Sequence, residues 1–382
     1  MMNEIYKKLE TIRDVWNHNI WDYPYCQSEI RFDEEAKTNY FGDLVAYFHD
    51  TLDIMKSSTR CESLSDVFSY HVSLLQNLYV QQEFVEELLR LFSTRYSKKD
   101  LKKDDNYRVN RDIRNELIGH PISRHEGKLI SSTLFSYGSN QEKIKYLRYH
   151  KENNFELEIV EYKVKDILSR HEAFLDYWLD IILEKLKQVV NKQKVELTNV
   201  KDKVSSIRFE SLIRLLSQKY KPFLESKCLY DKDSILKIYE KRNIHRRYRI
   251  VYEQFMEDLI LSLDNQIKSC DEVFTRHFVV YEKSSLREKP LFYEDQEGGI
   301  HIDLPLRKLK RGRPKKDYNY TLQKLIDSNR RNYRDFEIFS SSILSQCKNK
   351  LVETELNWMK ENLCDDVEYI SSYRLICSIL KA

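Results

Sequence analysis

The sequence predicts a mainly α-helical protein: a helical bundle with a small antiparallel β insertion and a helical C-terminal region. Three observations carry this expectation. Only 7 glycines and 6 prolines punctuate 382 residues, too few for the tight turns of a sandwich, a barrel or a Gly-rich nucleotide fold. Apolar residues recur at helical spacing over most of the length. The balance of 33% charged and 41% hydrophobic residues describes a chain that folds around a core, neither disordered nor fibrous. Its length suits two or three domains.

In chain order, Ile5, Leu9, Ile12 and Trp16 mark a first helix. A longer stripe runs through Leu64, Val67, Phe68, His71, Leu75, Leu78, Val85, Leu89 and Phe92, with Ser63 or Ser65 as its N-cap. The polar loop SKKDLKKDDN separates it from a short helix that starts near Asp105 and carries Val109, Ile113 and Leu117. The period then changes. In NNFELEIVEY, Phe155, Leu157 and Ile159 alternate with Glu156 and Glu158, which predicts a half-buried strand with its apolar residues inward. Lys143–Tyr149 and Leu129–Tyr137 are further strand candidates, with turns at Gly138-Ser139-Asn140 and Asn153-Asn154. Helical spacing resumes through Val164, Ile167, Leu168, His171, Phe174, Leu175, Trp178, Ile182 and Leu186. More helices are expected over 204–218 and 232–268. This divides the chain into a helical domain at 1–195 with its β insertion at about 127–162, a helical region at 196–289, a basic linker at 290–317, and a helical region at 318–382. No internal repeat is present.

A formal net charge of +3 leaves no global basic field, so any nucleic-acid contact must come from local patches. The 7 cysteines, at 26, 61, 228, 270, 347, 364 and 377, are odd in number and widely spaced, unlike a zinc finger or a secreted disulfide scaffold. The N-terminal MMNEIYKKLETIRDVW lacks the apolar core of a signal peptide, and no run approaches the roughly 20 apolar residues of a membrane span. A soluble protein of the cytoplasm, without membrane contact, is expected.

One stretch carries chemistry: Arg111-Asp112-Ile113-Arg114-Asn115-Glu116-Leu117-Ile118-Gly119-His120-Pro121. On an unbroken helix, six positions rotate by roughly 600°, so Arg114 and His120 would point about 120° apart. Gly119 permits a left-handed exit and Pro121 pushes His120 off helical angles, so the break can re-aim the imidazole. Metal-free RNA cleavage needs a base with a pKa near 7, which His supplies, and a permanent cation for the phosphorane-like transition state, which Arg supplies. A similar spacing, Arg13-Asp14-x3-His18, flanks Trp16 with no stop signal before Pro24 and reads as surface or packing.

The Arg114-Asn115-x4-His120 pattern resembles the signature of the HEPN superfamily, helical bundles that are commonly dimeric and often metal-independent ribonucleases of antiphage, toxin–antitoxin and RNA-processing systems. The resemblance covers some seven residues as a motif and the first 190 as a domain. It implies His120 as general acid/base, Arg114 as phosphate and transition-state ligand, and Asn115 as the residue that orients the imidazole or a phosphate oxygen. It further implies a 2′,3′-cyclic phosphate product, a site in a homodimer cleft, and an antitoxin or defence partner. The plainer reading makes Arg111 and Arg114 a solvated helix face and His120 a C-cap stabilised by the helix dipole.

His71 and His171 sit in apolar stripes and read as hydrogen-bonded core residues. No His-x3-His, Cys/His cluster, P-loop or Gly-x-Ser-x-Gly elbow occurs, so neither a metal nor a cofactor is expected.

Three basic features could grip nucleic acid. Arg111 precedes the helix break, and Arg124 and His125 follow it. Residues 307–316, RKLKRGRPKK, contain no acid, and their Arg311-Gly312-Arg313-Pro314 core resembles an AT-hook, whose arginines enter an A·T-rich minor groove; Lys315 and Lys316 extend it. The run Lys241-Arg242-Asn243-Ile244-His245-Arg246-Arg247-Tyr248-Arg249 predicts a helix with Ile244 and Tyr248 on a buried edge and Arg242, Arg246, Arg247 and Arg249 on a cationic one. The leading expectation is an endoribonuclease acting on RNA. Its rival is a non-catalytic nucleic-acid-binding regulator that uses 307–316 on DNA, with the helical domain serving dimerisation.

Overall fold

The computed structural model describes residues 2–56, 63–134, 140–225, 230–275, 318–327 and 331–380, and the backbone of 292–294 and 300–302. The chain is mainly α-helical with a small antiparallel sheet, and it divides into two units. One comprises Met1–Asn199 with Gln266–Phe278, the other Val200–Asn265 with Val279–Ala382. Among the described residues, no helix is long and apolar enough to cross a membrane.

The first unit starts with α1 (Met2–Val15), which runs into a π-helical turn at Trp16–Ile20, then α2 (Pro24–Ser28), α3 (Glu34–Lys37) and α4 (Tyr40–Lys56). Trp16 stacks on Phe41 at 4.4 Å and meets Phe92 edge-on, an aromatic core set by the spacing of the first stripe. Helix α5 (Leu64–Leu91) starts at Ser63, whose hydroxyl accepts the Asp66 N–H while the Asp66 carboxylate accepts the Ser63 N–H. Short α6 (Lys98–Leu101) and α7 (Asp105–Arg114) follow, and Asp104 caps α7. After the sheet, α8 (Val164–Lys203) buries Ile167, Phe174, Leu175, Trp178, Ile182 and Leu186, the face its periodicity predicts.

His71 and His171 lie fully inside this core. Gln81 Oε1 accepts from His171 Nε2 at 2.7 Å, and burial pushes the His171 pKa down to about 3, so the ring is neutral.

The sheet is a meander of β1 (Ile122–His125), β2 (Lys128–Leu134), β3 (Lys143–Tyr149) and β4 (Leu157–Lys163), every pair antiparallel. It starts earlier than the alternation suggests, because β1 and β2 close through a tight turn with positive φ at Glu126 (52°) and Gly127 (80°). The orientation of β4 is the reverse of the expected one. Leu157 and Ile159 are 72% and 63% exposed, while Glu158 turns toward the core side, where it accepts from Arg148 Nη1 at 3.2 Å. The register explains this. Fully buried Ile144 and Tyr146 pair with Tyr162 and Val160, so the even-numbered residues of β4 face the α5–α7 core and the odd-numbered ones face out.

The second unit holds α9 (Phe209–Lys219), α10 (Lys221–Glu225), α11 (Lys232–Lys241) and α12 (Arg246–Glu272). Strands β5 (Phe292–Glu294) and β6 (Ile300–Ile302) pair antiparallel, and α13 (Asn319–Ile326), α14 (Tyr333–Gln346), α15 (Lys350–Glu361) and α16 (Asp366–Leu380) complete it. Phe209 stacks on Tyr239 at 4.3 Å, and Phe223 and Tyr230 both pack on Phe255. The helix expected over 232–268 is broken between α11 and α12. There His245 Nδ1 accepts the Arg247 N–H and starts the new helix.

Candidate active site

Helix α7 does not end by a left-handed exit. From Asn115 to Gly119 the chain widens into a π-helical turn, closed by the His120 N–H donating to the Asn115 carbonyl at 2.7 Å. His120 then leaves with φ −140° and ψ 57°. Gly119 has no positive φ, so its expected conformational role is corrected to a spatial one. A Cβ there would lie 2.7 Å from Arg114 Nη1, so the missing side chain lets the guanidinium rest against the turn. The Pro121 carbonyl accepts from Ser132 N at 2.8 Å, which pins the exit to β2.

The π turn is also tied to the sheet. Glu116 accepts from Tyr146 OH at 2.8 Å and from Arg148 Nη2 at 3.0 Å, and Leu117 packs in the core beside Tyr146. Arg148 is shared with Glu152 and Glu158, so this network is rich in carboxylates. An extra residue in a helical turn costs hydrogen-bond regularity, and tertiary ties of this kind offset that cost.

Arg114 is held by neutral groups only. Gln76 Oε1 accepts from its Nη2 at 3.1 Å, Asn115 Oδ1 accepts from its Nη1 at 3.3 Å, and its Cζ sits 3.9 Å from the centre of the Tyr79 ring. It has no carboxylate partner among the described residues. Asn115 therefore orients the guanidinium through its side chain and receives the His120 amide through its backbone; it makes no hydrogen bond to the imidazole ring. The His120 side chain is exposed and makes no hydrogen bond among the described residues, to Arg114 or to anything else. One copy of the chain thus brings the cation and the imidazole to one helix end without joining them.

Arg111 differs. Its Cζ lies 3.8 Å from the Tyr79 ring, and its guanidinium is paired with Glu83. With Asn115 it lines an open cleft of about 410 Å³ beside Lys98, Lys102 and Arg108. Most of the cleft's cations are neutralised: Lys98 by Glu86, Arg108 by Asp105, and Arg111 by Glu83. Arg124 is exposed on β1, where the Gly127 carbonyl accepts from it at 3.1 Å.

The 241–249 run is folded inward in part. Arg247 is 5% exposed, 3.2 Å from the fully buried Glu355 carboxylate and over the Trp358 ring, so it offers no surface charge. Tyr248 is buried as expected, but Ile244 is 76% exposed, because the helix break at His245 separates the two. Lys241, Tyr248 and Trp358 all donate to Glu368. Arg242 stacks on Tyr239 at 3.6 Å, and Arg249 approaches Glu253 at 3.9 Å; Arg246 and Arg249 are exposed. Arg311, Arg313, Lys315 and Lys316 lie outside the described residues.

The competing pair is separated by electrostatics rather than by backbone. Arg13 precedes a π-helical turn and His18 lies within it, a turn that the absence of a stop signal does not reveal, but Arg13 is bound to Glu10. Among the described residues, no group of three His, Cys, Asp or Glu side chains could hold a metal. Sequence reasoning missed Gln76, Tyr79 and Glu83, which position the two arginines. They recur at i, i+3 and i+7 on one face of α5, and that polar–aromatic stripe beside the apolar one was the available signal. No family model, curated protein or solved structure matches this chain.

Proposed function

We propose that the protein is a metal-independent endoribonuclease of the HEPN type, with Arg114, Asn115 and His120 as its site. One observation carries the reading. Among the described residues, Arg114 is held by Gln76, Asn115 and Tyr79 with no acid, at the same helix end that presents an exposed imidazole without a hydrogen-bond partner. An unneutralised arginine is what an anion needs, since a carboxylate partner would compete with a phosphate for the same fork.

In this mechanism His120 takes the proton of the ribose 2′-OH. The 2′-oxygen forms a bond to phosphorus as the 5′-oxygen–phosphorus bond breaks, leaving a 2′,3′-cyclic phosphate and a 5′-OH. Arg114 binds the phosphate and its added negative charge in the transition state. Asn115 sets the direction of the guanidinium. The leaving 5′-oxygen needs a proton from a second donor, and the His120 of a second copy in a symmetric dimer would supply it. Such a dimer also fits a cytoplasmic defence or toxin system with a neutralising partner.

The test uses His120→Ala and Arg114→Ala on single-stranded RNA in EDTA. Both should fold, since neither side chain is in the core, and each should cut cleavage by about 10²–10⁴-fold, the usual worth of an acid–base group. Cleavage at the wild-type rate in either variant overturns the assignment.

A further inference from the structure

The four-stranded sheet packs one face on the helices and, among the described residues, leaves the other uncovered. Across that outer face the register aligns Ile122, Ser131, Tyr149 and Leu157 in one row, and Thr133, Leu147 and Ile159 in the next. Ile122 is 68% exposed and Leu129, nearby on β2, 42%, so with Leu157 and Ile159 four large aliphatic side chains meet water together. Scattered exposed apolar residues need no explanation, but a contiguous band of them marks a contact surface.

Cations border the band at both ends. Arg124 pairs across from Leu129 at one end, and Lys145 and Lys143 with Lys163 follow beyond Ile159 at the other. Among the described residues, Glu161 is the one acid on this face, shared by Lys143 and Lys145 at 2.9 and 3.1 Å. Arg124 and Lys163 have no acid partner among the described residues. Four positive groups against one negative group would repel a second copy of the same face. Four exposed apolar side chains are also far fewer than the roughly 20–30 residues a side of a stable dimer. A nucleic acid would meet mainly aliphatic side chains where it needs free rings to stack on, since Tyr149 and Phe155 pack on each other at 5.7 Å and Lys128 covers the Phe155 ring at 4.6 Å.

We infer that this outer sheet face is a docking surface for a partner protein, which presents a short segment of apolar side chains flanked by acids. The apolar side chains seat on Leu147, Tyr149, Leu157 and Ile159, and the acids reach Arg124 and Lys163. The first strand of this face begins two residues beyond His120. Docking itself does not depend on the nuclease reading.

A fluorescent peptide of about ten residues alternating Leu and Glu is the probe, and a Leu/Lys peptide is its control. The Leu/Glu peptide should bind saturably to the full chain, more weakly at high salt. Binding should fall at least tenfold both in Leu157→Ser/Ile159→Ser and in Arg124→Glu/Lys163→Glu. All four positions are exposed, so thermal melting should be unchanged and confirms the fold of each variant. Equal binding of the two peptides, or no loss in either variant, overturns the proposal. So does displacement of the peptide by poly(U) RNA, or a wild-type dimer that the Leu157→Ser/Ile159→Ser variant splits. Cleavage of RNA plays no part in these readings, so their failure and that of the nuclease assignment are told apart.

Discussion

Two arginine sites in this molecule make opposite use of the same side chain. The 241–249 stretch is the denser in charge, yet Arg247 is sealed against Glu355 and Trp358, and Lys241, though partly exposed, is paired with Glu368. Arg114 stands in an ordinary amphipathic helix, and its guanidinium is held as firmly, by an amide oxygen on each side and a tyrosine ring, with its charge left unspent. The lesson is that charge density along a chain does not measure the charge available to a ligand. The identity of the partners does: a carboxylate consumes an arginine, whereas amides and rings only aim it.

The largest effect belongs to the sealed site. Arg247→Ala leaves the fully buried Glu355 carboxylate with only the His245 ring, 3.7 Å away, in place of its arginine, and a buried pair that loses one member in this way costs about 3–5 kcal/mol. Urea unfolding should show it as a lower midpoint at unchanged slope. A variant within about 0.5 kcal/mol of wild type would mean that Glu355 is satisfied some other way, and that Arg247 is free for a ligand after all.

The second effect converts one kind of site into the other. Gln76→Glu places a carboxylate where an amide oxygen now accepts from Arg114, with almost no change of shape. The ion pair is partly exposed, so stability should move by less than about 1 kcal/mol. RNA cleavage, by contrast, should fall roughly 100-fold, the scale of losing one transition-state cation. Full activity in Gln76→Glu would show that a paired Arg114 serves as well as an unpaired one, and the contrast between the two sites would lose its functional meaning.

Much of the helical framework is legible in the sequence, because burial in a helix repeats at a fixed spacing. The stripe from Val164 to Leu186 is read from residue types alone, and the cap of α5 is narrowed to Ser63 or Ser65, of which Ser63 makes the cap. The sheet is not so readable. Both parities of β4 carry apolar side chains, Leu157 and Ile159 on one and Val160 and Tyr162 on the other. The tie is broken by Ile144 and Tyr146 across the ladder, which local alternation cannot weigh. The π turn is hidden for a related reason. Its extra residue is stabilised through Glu116 by Tyr146 and Arg148, some 30 positions away. The Arg–His spacing was visible, but the neutrality of the groups around Arg114 exists only in three dimensions.

The smallest effect is the most selective. Gly119 faces the end of the Arg114 side chain, 2.7 Å from where a methyl group would be. That guanidinium is the flexible end of a long side chain, so Gly119→Ala should displace it without forcing the backbone, whose φ here suits any residue. Alanine also favours helical backbone over glycine by about 1 kcal/mol, so thermal stability should hold or rise slightly. What should fall, by about tenfold, is RNA cleavage, because Arg114 is pushed away from the position Gln76, Asn115 and Tyr79 give it. A less stable protein with unchanged activity would mean that Gly119 serves the turn and not the arginine. A stable protein with reduced activity would mean that the site depends on the placement of a cation as well as on its presence, which separates an aimed arginine from a solvated one.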